Sequence, residues 1–358
     1  MARRNWRRSV GGCADPPASA ILFARWPAGH GLTGTPPSPI PRQLQKPDPN
    51  MKKTLWLAGL AASMMILPVS VGAGPMTPAP NAANLQLASV HAAIAPLQSS
   101  APLYEKFADN PAPIASVTKL MTAMVVLDSG EPMDEWLRIV ERSDAPPKNS
   151  FSRIRIGSEA KRGDLLRITL MSSENLASYL LAQNHPGGLD AFIVAMNAKA
   201  RSLGMTQTRF VDPSGLWPEN VASASDLVKM VEAAYGYPEI REMSTGSQHR
   251  VHFRGPRYSL DYRNTNALVS SSRWDVHLSK TGYLNEAGRC LVMVADVGSG
   301  PLVMVLLDSL GTRTPLGDAG RIRRWLETGN GGAVAGAALD YERSRIAELT
   351  TEASAQSH

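Results

Sequence analysis

Ser116-Val117-Thr118-Lys119 places a hydroxyl and an amine three residues apart. On a helix, positions i and i+3 share a face, so the Lys119 amine can reach the Ser116 hydroxyl. Serine at its ordinary pKa is a poor nucleophile and needs a base beside it. Lysine can be that base only where burial or a neighbouring cation holds it neutral. The pattern alone is weak, because Ser158-Glu159-Ala160-Lys161 repeats it. The second copy runs into Arg162-Gly163-Asp164 rather than an apolar helix and reads as solvated surface. Ser116 also has a plainer alternative as a helix cap.

Two other triplets are rarer. Ser173-Glu174-Asn175 is the only S-x-N and Lys280-Thr281-Gly282 the only K-T-G, so neither has a competing copy. The bland alternatives are a capped polar turn for the first and a strand end followed by a turn for the second. The chemical reading has Gly282 admitting a ligand's backbone, with Lys280 and Thr281 offering a charge and a hydroxyl to an anionic group. The chain has no H-E-x-x-H and no clustered Cys and His, so no metal and no cofactor are expected.

The elements that must position these groups follow from patterning. Residues 85–94 and 103–107 read as short strands, 115–127 as a strongly apolar helix, and 153–156 as an alternating strand. Residues 165–171, 176–182, 190–203 and 226–234 read as helices. Beyond them 250–253, 274–279, 290–297 and 302–308 are strand-like, and 320–327 closes with a helix. Strands open the domain, helices fill it, and strands with a helix close it, which indicates an α+β fold with one sheet built from both ends.

Charge and cysteine usage narrow the function classes. Of the formal net charge of +6, residues 1–50 carry +5 and Lys52 and Lys53 add +2, leaving −1 for the remainder. No basic face for nucleic acid is left in the body of the chain. Residues 51–73 read as a secretory signal peptide, with Lys52-Lys53, an apolar run over 55–71 broken by Pro68, and Val71-Gly72-Ala73 at the cleavage position. That makes 1–50 a doubtful leader with translation starting at Met51, 74–84 a flexible lead-in, and 331–358 a disordered or partly helical tail. After cleavage no stable transmembrane anchor is expected, since the run is marginal for spanning a bilayer. With Cys13 in the leader and Cys290 in an apolar run, no internal disulfide is available, and Cys290 reads as a packing residue.

Residues 113–128 resemble the nucleophile segment of low-molecular-mass penicillin-binding proteins, the D-alanyl-D-alanine peptidases of serine peptidase family S11. Residues 170–175, 192–204, 210–216, 263–266 and 325–329 are similar to its endopeptidase branch, typified by penicillin-binding protein seven. The resemblance covers residues 85–329 and implies the β-lactamase/DD-peptidase fold, an antiparallel sheet flanked by helices with a helical subdomain, over 85–330. It also implies Ser116 as acylated nucleophile, Lys119 as its base, Ser173 and Asn175 as proton relay and amide contact, and Lys280, Thr281, Gly282 and Tyr283 as the substrate-binding strand. Ser116 and Tyr283 would supply the backbone N–H groups of an oxyanion hole. Implied partners are crosslinked peptidoglycan peptides and, as covalent inhibitors, β-lactam antibiotics. The implied location is the periplasm.

Departures and rivals bear on the branch. Asp318 is expected where carboxypeptidase relatives carry an Arg that grips the terminal carboxylate, which would disfavour plain carboxypeptidase action. A class A β-lactamase shares the three motifs but needs an E-x-x-x-N loop, and Glu219-Asn220 has the wrong spacing. A non-catalytic peptidoglycan-binding module is the remaining alternative, against which the intact motifs argue.

Overall fold

The computed structural model describes residues 80–99, 101–144, 150–298 and 300–356, with side chains up to Thr351. The leader and signal peptide lie outside the described residues, as do 74–79 of the lead-in. Among the described residues no helix is long and apolar enough to cross a membrane.

The chain enters through β1 (His91–Pro96) and β2 (Tyr104–Lys106), passes the short β3 (Ala112–Pro113), and turns through a 3-10 segment, Ala115–Thr118, into α1 (Lys119–Asp128). The helical region follows: β4 (Trp136–Arg138), β5 (Glu159–Lys161), α2 (Arg162–Met171), α3 (Asn175–Gln183), α4 (Gly188–Ser202), β6 (Val221–Ala222), α5 (Ala224–Tyr235) and α6 (Pro238–Thr245). The hairpin β7 (Gln248–Phe253) and β8 (Tyr258–Arg263) leads back to β9 (Val276–Leu284), β10 (Gly288–Val297) and β11 (Gly300–Ser309), then α7 (Thr314–Thr328) and α8 (Gly336–Gln356).

Five strands form one antiparallel sheet in the order β2-β1-β11-β10-β9, so both ends of the chain build it, as the α+β reading expected. Strand side chains alternate between faces. Ala93, Val292, Val294, Val303, Val305 and Leu307 face the helical region, while Ile94, Leu291, Met293, Met304 and Leu306 pack with Ile322 and Trp325 of α7. Burial on both faces explains why the strands read as near-continuous apolar runs. On the helical side α1 is buried from Lys119 through Val126, which is why its sequence is apolar all round.

Four expectations change. Residues 85–90 precede the strand, although Leu85 and Leu87 still fill the α7-side core. Residues 153–156 form no strand: only Ile154 turns inward, while Arg153 and Arg155 lie over the rings of Tyr262 and Tyr258. The K-T-G triplet lies inside β9 rather than at a strand end, because Tyr283 and Leu284 continue the ladder opposite Arg289 and Gly288. Helix α6, absent from the sequence reading, starts on Pro238 and buries Ile240 and Met243. At the C-terminus Tyr341 Oη donates to Asp308 Oδ1 at 2.6 Å and Arg345 Nε to Asp308 Oδ2 at 2.8 Å, tying α8 to the end of β11.

Candidate active site

Strand β9 lies at the edge of the sheet beside the Ala115–Thr118 turn, and the approach is close enough to crowd any side chain at Gly282. A Cβ on Gly282 would stand 3.0 Å from the Ile114 oxygen and 3.1 Å from the Ser116 nitrogen. The bare position expected to admit a ligand thus admits the Ser116 backbone. Gly215 does the same from the other side: its φ is +72°, and a Cβ there would meet the Ala115 oxygen at 1.9 Å. Ala115 and Ser173, neither of them glycine, have φ of +47° and +61°. Such strain persists where the surroundings over-determine a backbone, and here it brackets one cleft.

Ser116 is not a helix cap. Ile114 holds the N-cap position with no side-chain cap bond, and the Ser116 hydroxyl faces Lys119 Nζ at 2.8 Å. Lys119 Nζ also lies 2.8 Å from Asn175 Oδ1 and 2.5 Å from the Ser214 carbonyl. With a relative exposure of 0%, the amine has its pKa lowered to about 7, chiefly by burial and also by Arg142, against the upward pull of Asp212 and Glu174. In its neutral form the amine has two N–H donors and one lone pair. It therefore donates to Asn175 and the Ser214 carbonyl and accepts from the Ser116 hydroxyl, which satisfies all three contacts.

Across the cleft, Lys280 Nζ donates to Ser173 Oγ at 2.9 Å and to the Thr281 carbonyl at 2.7 Å. Burial, then the charge of Lys119, pushes the Lys280 pKa well below the usual lysine range. Thr281 Oγ1 bonds Thr265 Oγ1 at 2.6 Å. Six of the eight candidate residues thus converge: Ser116, Lys119 and Asn175 in one bonded set, Ser173 and Lys280 in another, and Gly282 against the Ser116 backbone. Thr281 sits beside Lys280 on β9. The Tyr283 side chain stands apart, 43% exposed, donating to Asn285 Oδ1 and lying under the Arg289 guanidinium.

The arrangement suits acyl transfer: a serine hydroxyl, a buried amine of lowered pKa, and a second amine and hydroxyl at hand for a leaving group. The family model described as D-alanyl-D-alanine carboxypeptidase, peptidase S11, matches residues 77–311. The chain belongs to this family.

Within peptidase family S11 it is 45% identical over 296 residues to the D-alanyl-D-alanine endopeptidase of Pseudomonas aeruginosa, covering 83% of this chain and 95% of that protein. The Escherichia coli protein of the same name is 42% identical, with 84% and 96% covered. Among solved structures, penicillin-binding protein D2 of Listeria monocytogenes in its ampicillin-bound form has a TM-score of 0.58 at 29% identity, over 69% of this chain and 98% of that one. A single-residue mutant of the Streptomyces K15 DD-transpeptidase gives 0.62 at 25%, over 68% and 98%.

One expectation about the S11 cleft falls. Asp318 does not reach it: the residue is buried in α7, accepting from the Ala88 and Ser89 backbone N–H groups at 3.0 and 2.8 Å and from the Ser89 hydroxyl at 2.7 Å. It ties α7 to the approach of β1, so it carries no argument about a substrate carboxylate.

Other groups at the site had no assigned role in the sequence. Asp212 accepts from the Ser214 and Gly215 backbone N–H groups at 2.9 and 3.0 Å and from the Ser214 hydroxyl and the Asn220 amide. That turn aims the Ser214 carbonyl at Lys119, while the Pro213 carbonyl takes Thr122 Oγ1 and Ser178 Oγ at 2.6 and 2.7 Å. Glu174 caps α3 by accepting from Ala177 N at 2.5 Å, and burial raises its pKa. Away from the cleft, Asp275, His277 and Asp296 gather near the surface, and the contact of His277 Nε2 with Asp296 Oδ1 at 3.1 Å accounts for part of that grouping.

Proposed function

We propose that the chain is a D-alanyl-D-alanine endopeptidase that hydrolyses D-Ala–diaminopimelate crosslinks of peptidoglycan through an ester on Ser116. The observation that carries the reading is the buried Lys119 amine, 2.8 Å from the Ser116 hydroxyl with its pKa lowered to about 7. Lys119 takes the Ser116 proton as the oxygen attacks the D-Ala carbonyl. The backbone N–H groups of Ser116 and Tyr283 stabilise the oxyanion, at about 3 kcal/mol of barrier each. The proton taken up by Lys119 passes through the Ser173 hydroxyl to the departing amine, Asn175 holds the substrate amide, and Lys280 with Thr281 orients a substrate carboxylate. Water then hydrolyses the ester.

Likeness to two proteins named endopeptidases, along nearly their whole length, supports the branch over the carboxypeptidases, which match at 30% or less. With the Asp318 argument withdrawn, carboxypeptidase action is the alternative that kinetics must separate. β-Lactams are read as covalent inhibitors of Ser116, in keeping with the ampicillin-bound relative. Glu219 is exposed, and the Asn220 side chain holds the Val211 and Asp212 backbone, so neither supplies the deacylating carboxylate of a β-lactamase. The reading of 51–73 as a cleaved signal peptide supports a periplasmic location.

Two measurements test the reading. A fluorescent penicillin is expected to label the protein persistently and Ser116→Ala not at all; a transient band would indicate a β-lactamase and no band a binding module. Mass spectrometry of digested sacculi is expected to show crosslinked dimers converted to monomers. Dimers left intact while terminal D-Ala is released from monomeric pentapeptide would move the assignment to carboxypeptidase.

A further inference from the structure

Two cavities share a wall at Tyr262. One, about 310 Å³, is lined by Ser152, Arg153, Arg263 and the Ser173-Glu174-Asn175 triplet. The other, about 510 Å³, continues along β7 and β8 past Arg250 and Asp261. The first therefore opens from the acylation site itself, since Asn175 bonds Lys119 and Ser173 bonds Lys280.

The charges lining this wall are mostly positive. Asp261 is engaged by Arg250 through two bonds, at 2.6 and 2.9 Å. Arg153 lies over the Tyr262 ring, 4.9 Å from its centroid, with Nη2 donating to the Asp261 carbonyl at 2.7 Å. Arg263 is exposed and makes no ion pair among the described residues. The other acid, Glu174, turns its carboxyl toward Ala177 N to cap α3. The Tyr262 hydroxyl, on the ring over which Arg153 lies, is buried with no protein partner among the described residues. A buried donor without an acceptor costs free energy that a ligand acceptor would recover. Arg153, over the Tyr262 ring, and Arg263, which lines the same cavity, both carry guanidiniums, groups whose paired donors suit a carboxylate.

We propose that this cavity is a substrate subsite that binds a free carboxylate of the branched stem peptide through Arg153, Arg263 and the Tyr262 hydroxyl. The inference rests on the peptidase reading above and adds a specificity element to it: the enzyme selects peptides by a carboxylate away from the scissile bond.

The test compares two synthetic crosslinked peptides that differ only in whether that carboxylate is free or converted to a carboxamide. The wild-type enzyme is expected to favour the free acid by about tenfold in kcat/KM, mostly through KM, the size of one charge-assisted hydrogen bond. The preference shrinks as salt is raised. In the double variant Arg153→Gln/Arg263→Gln the ratio falls towards one, and Tyr262→Phe removes part of it. Equal turnover of both peptides by the wild type overturns the subsite. Penicillin labelling of the same preparation separates the failures: a labelled enzyme indifferent to amidation refutes this inference alone, whereas an unlabelled one refutes the peptidase reading and the subsite with it.

Discussion

A lysine without exposed surface holds its proton weakly, because burial removes the water that would solvate an ammonium. Lys119 is in that position, and only its neutral form can take a proton from Ser116. With a pKa of about 7, the neutral fraction and the rate of penicillin acylation should rise about tenfold between pH 6 and 8 and then level off. Stopped-flow acylation across that range measures it, and a flat profile would remove Lys119 as the base. Lys119→Arg should lower the rate by about a thousandfold, because a guanidinium stays charged at these pH values. At this scale the sequence was legible where side-chain identity at short spacing marks the segments that the fold brings together, S-x-x-K, S-x-N and K-T-G. It was silent on the Ser214 carbonyl, because every residue has a carbonyl and only the Asp212 turn aims this one. It misled at Asp318, because chain position after the last strand does not say which face of a sheet a side chain will meet.

Elements meet in this cleft through glycines that stand in for absent side chains, and the two contacts differ in what could yield. At Gly282 an added methyl would crowd the Ile114 carbonyl and the Ser116 nitrogen at 3.0 and 3.1 Å, with an unexceptional φ. Shifts of tenths of an ångström relieve it, so Gly282→Ala should fold with little change in Tm. Its penicillin acylation should still fall by about tenfold or more, since small misplacements of a nucleophile are costly. At Gly215 the methyl would sit 1.9 Å from a backbone carbonyl at φ +72°. Gly215→Ala should therefore lose at least about 3 kcal/mol of stability. Thermal melts of both variants against the parent check the contrast, and equal melting temperatures would contradict it. Long apolar elements such as α1, β10 and β11 were legible because burial on several sides leaves one pattern. Residues 153–156 were not, since alternation there reflects arginines lying over Tyr258 and Tyr262 rather than a ladder. Helix α6 was hidden because eight residues starting at a proline carry too few periodic positions to register.

Taken over the whole molecule, the groups that make the cleft reactive also set how stability depends on pH. Lys119 and Lys280 are driven towards neutrality by burial, so around pH 7 to 9 the unfolded chain binds protons that the folded chain does not. Their penalty is absent above the free-lysine range and grows as pH falls towards their folded values, so stability rises with pH across that window. The limit is about 1.4 kcal/mol per pH unit for each lysine. Glu174, raised by burial, has the opposite sign and is one group against two. Cys290 and Tyr104, both raised to about 12, contribute stability that is intact below their unfolded values of 9.0 and 10.0 and is lost as pH climbs towards 12. Tyr262 and Tyr341, also raised by burial, act in the same direction. Opposing slopes meet between pH 9 and 10, where stability should be greatest. Urea melts at pH 7, 8, 9 and 10 would locate the maximum, and a steady decline from pH 7 upward would contradict it. Lys119→Met should reduce the rise between pH 7 and 9 by about half, because it removes one of the two protons the unfolded chain takes up. An unaltered slope in that variant would mean that Lys119 is charged in the folded protein, and the neutral base on which the proposed acylation depends would be lost with it.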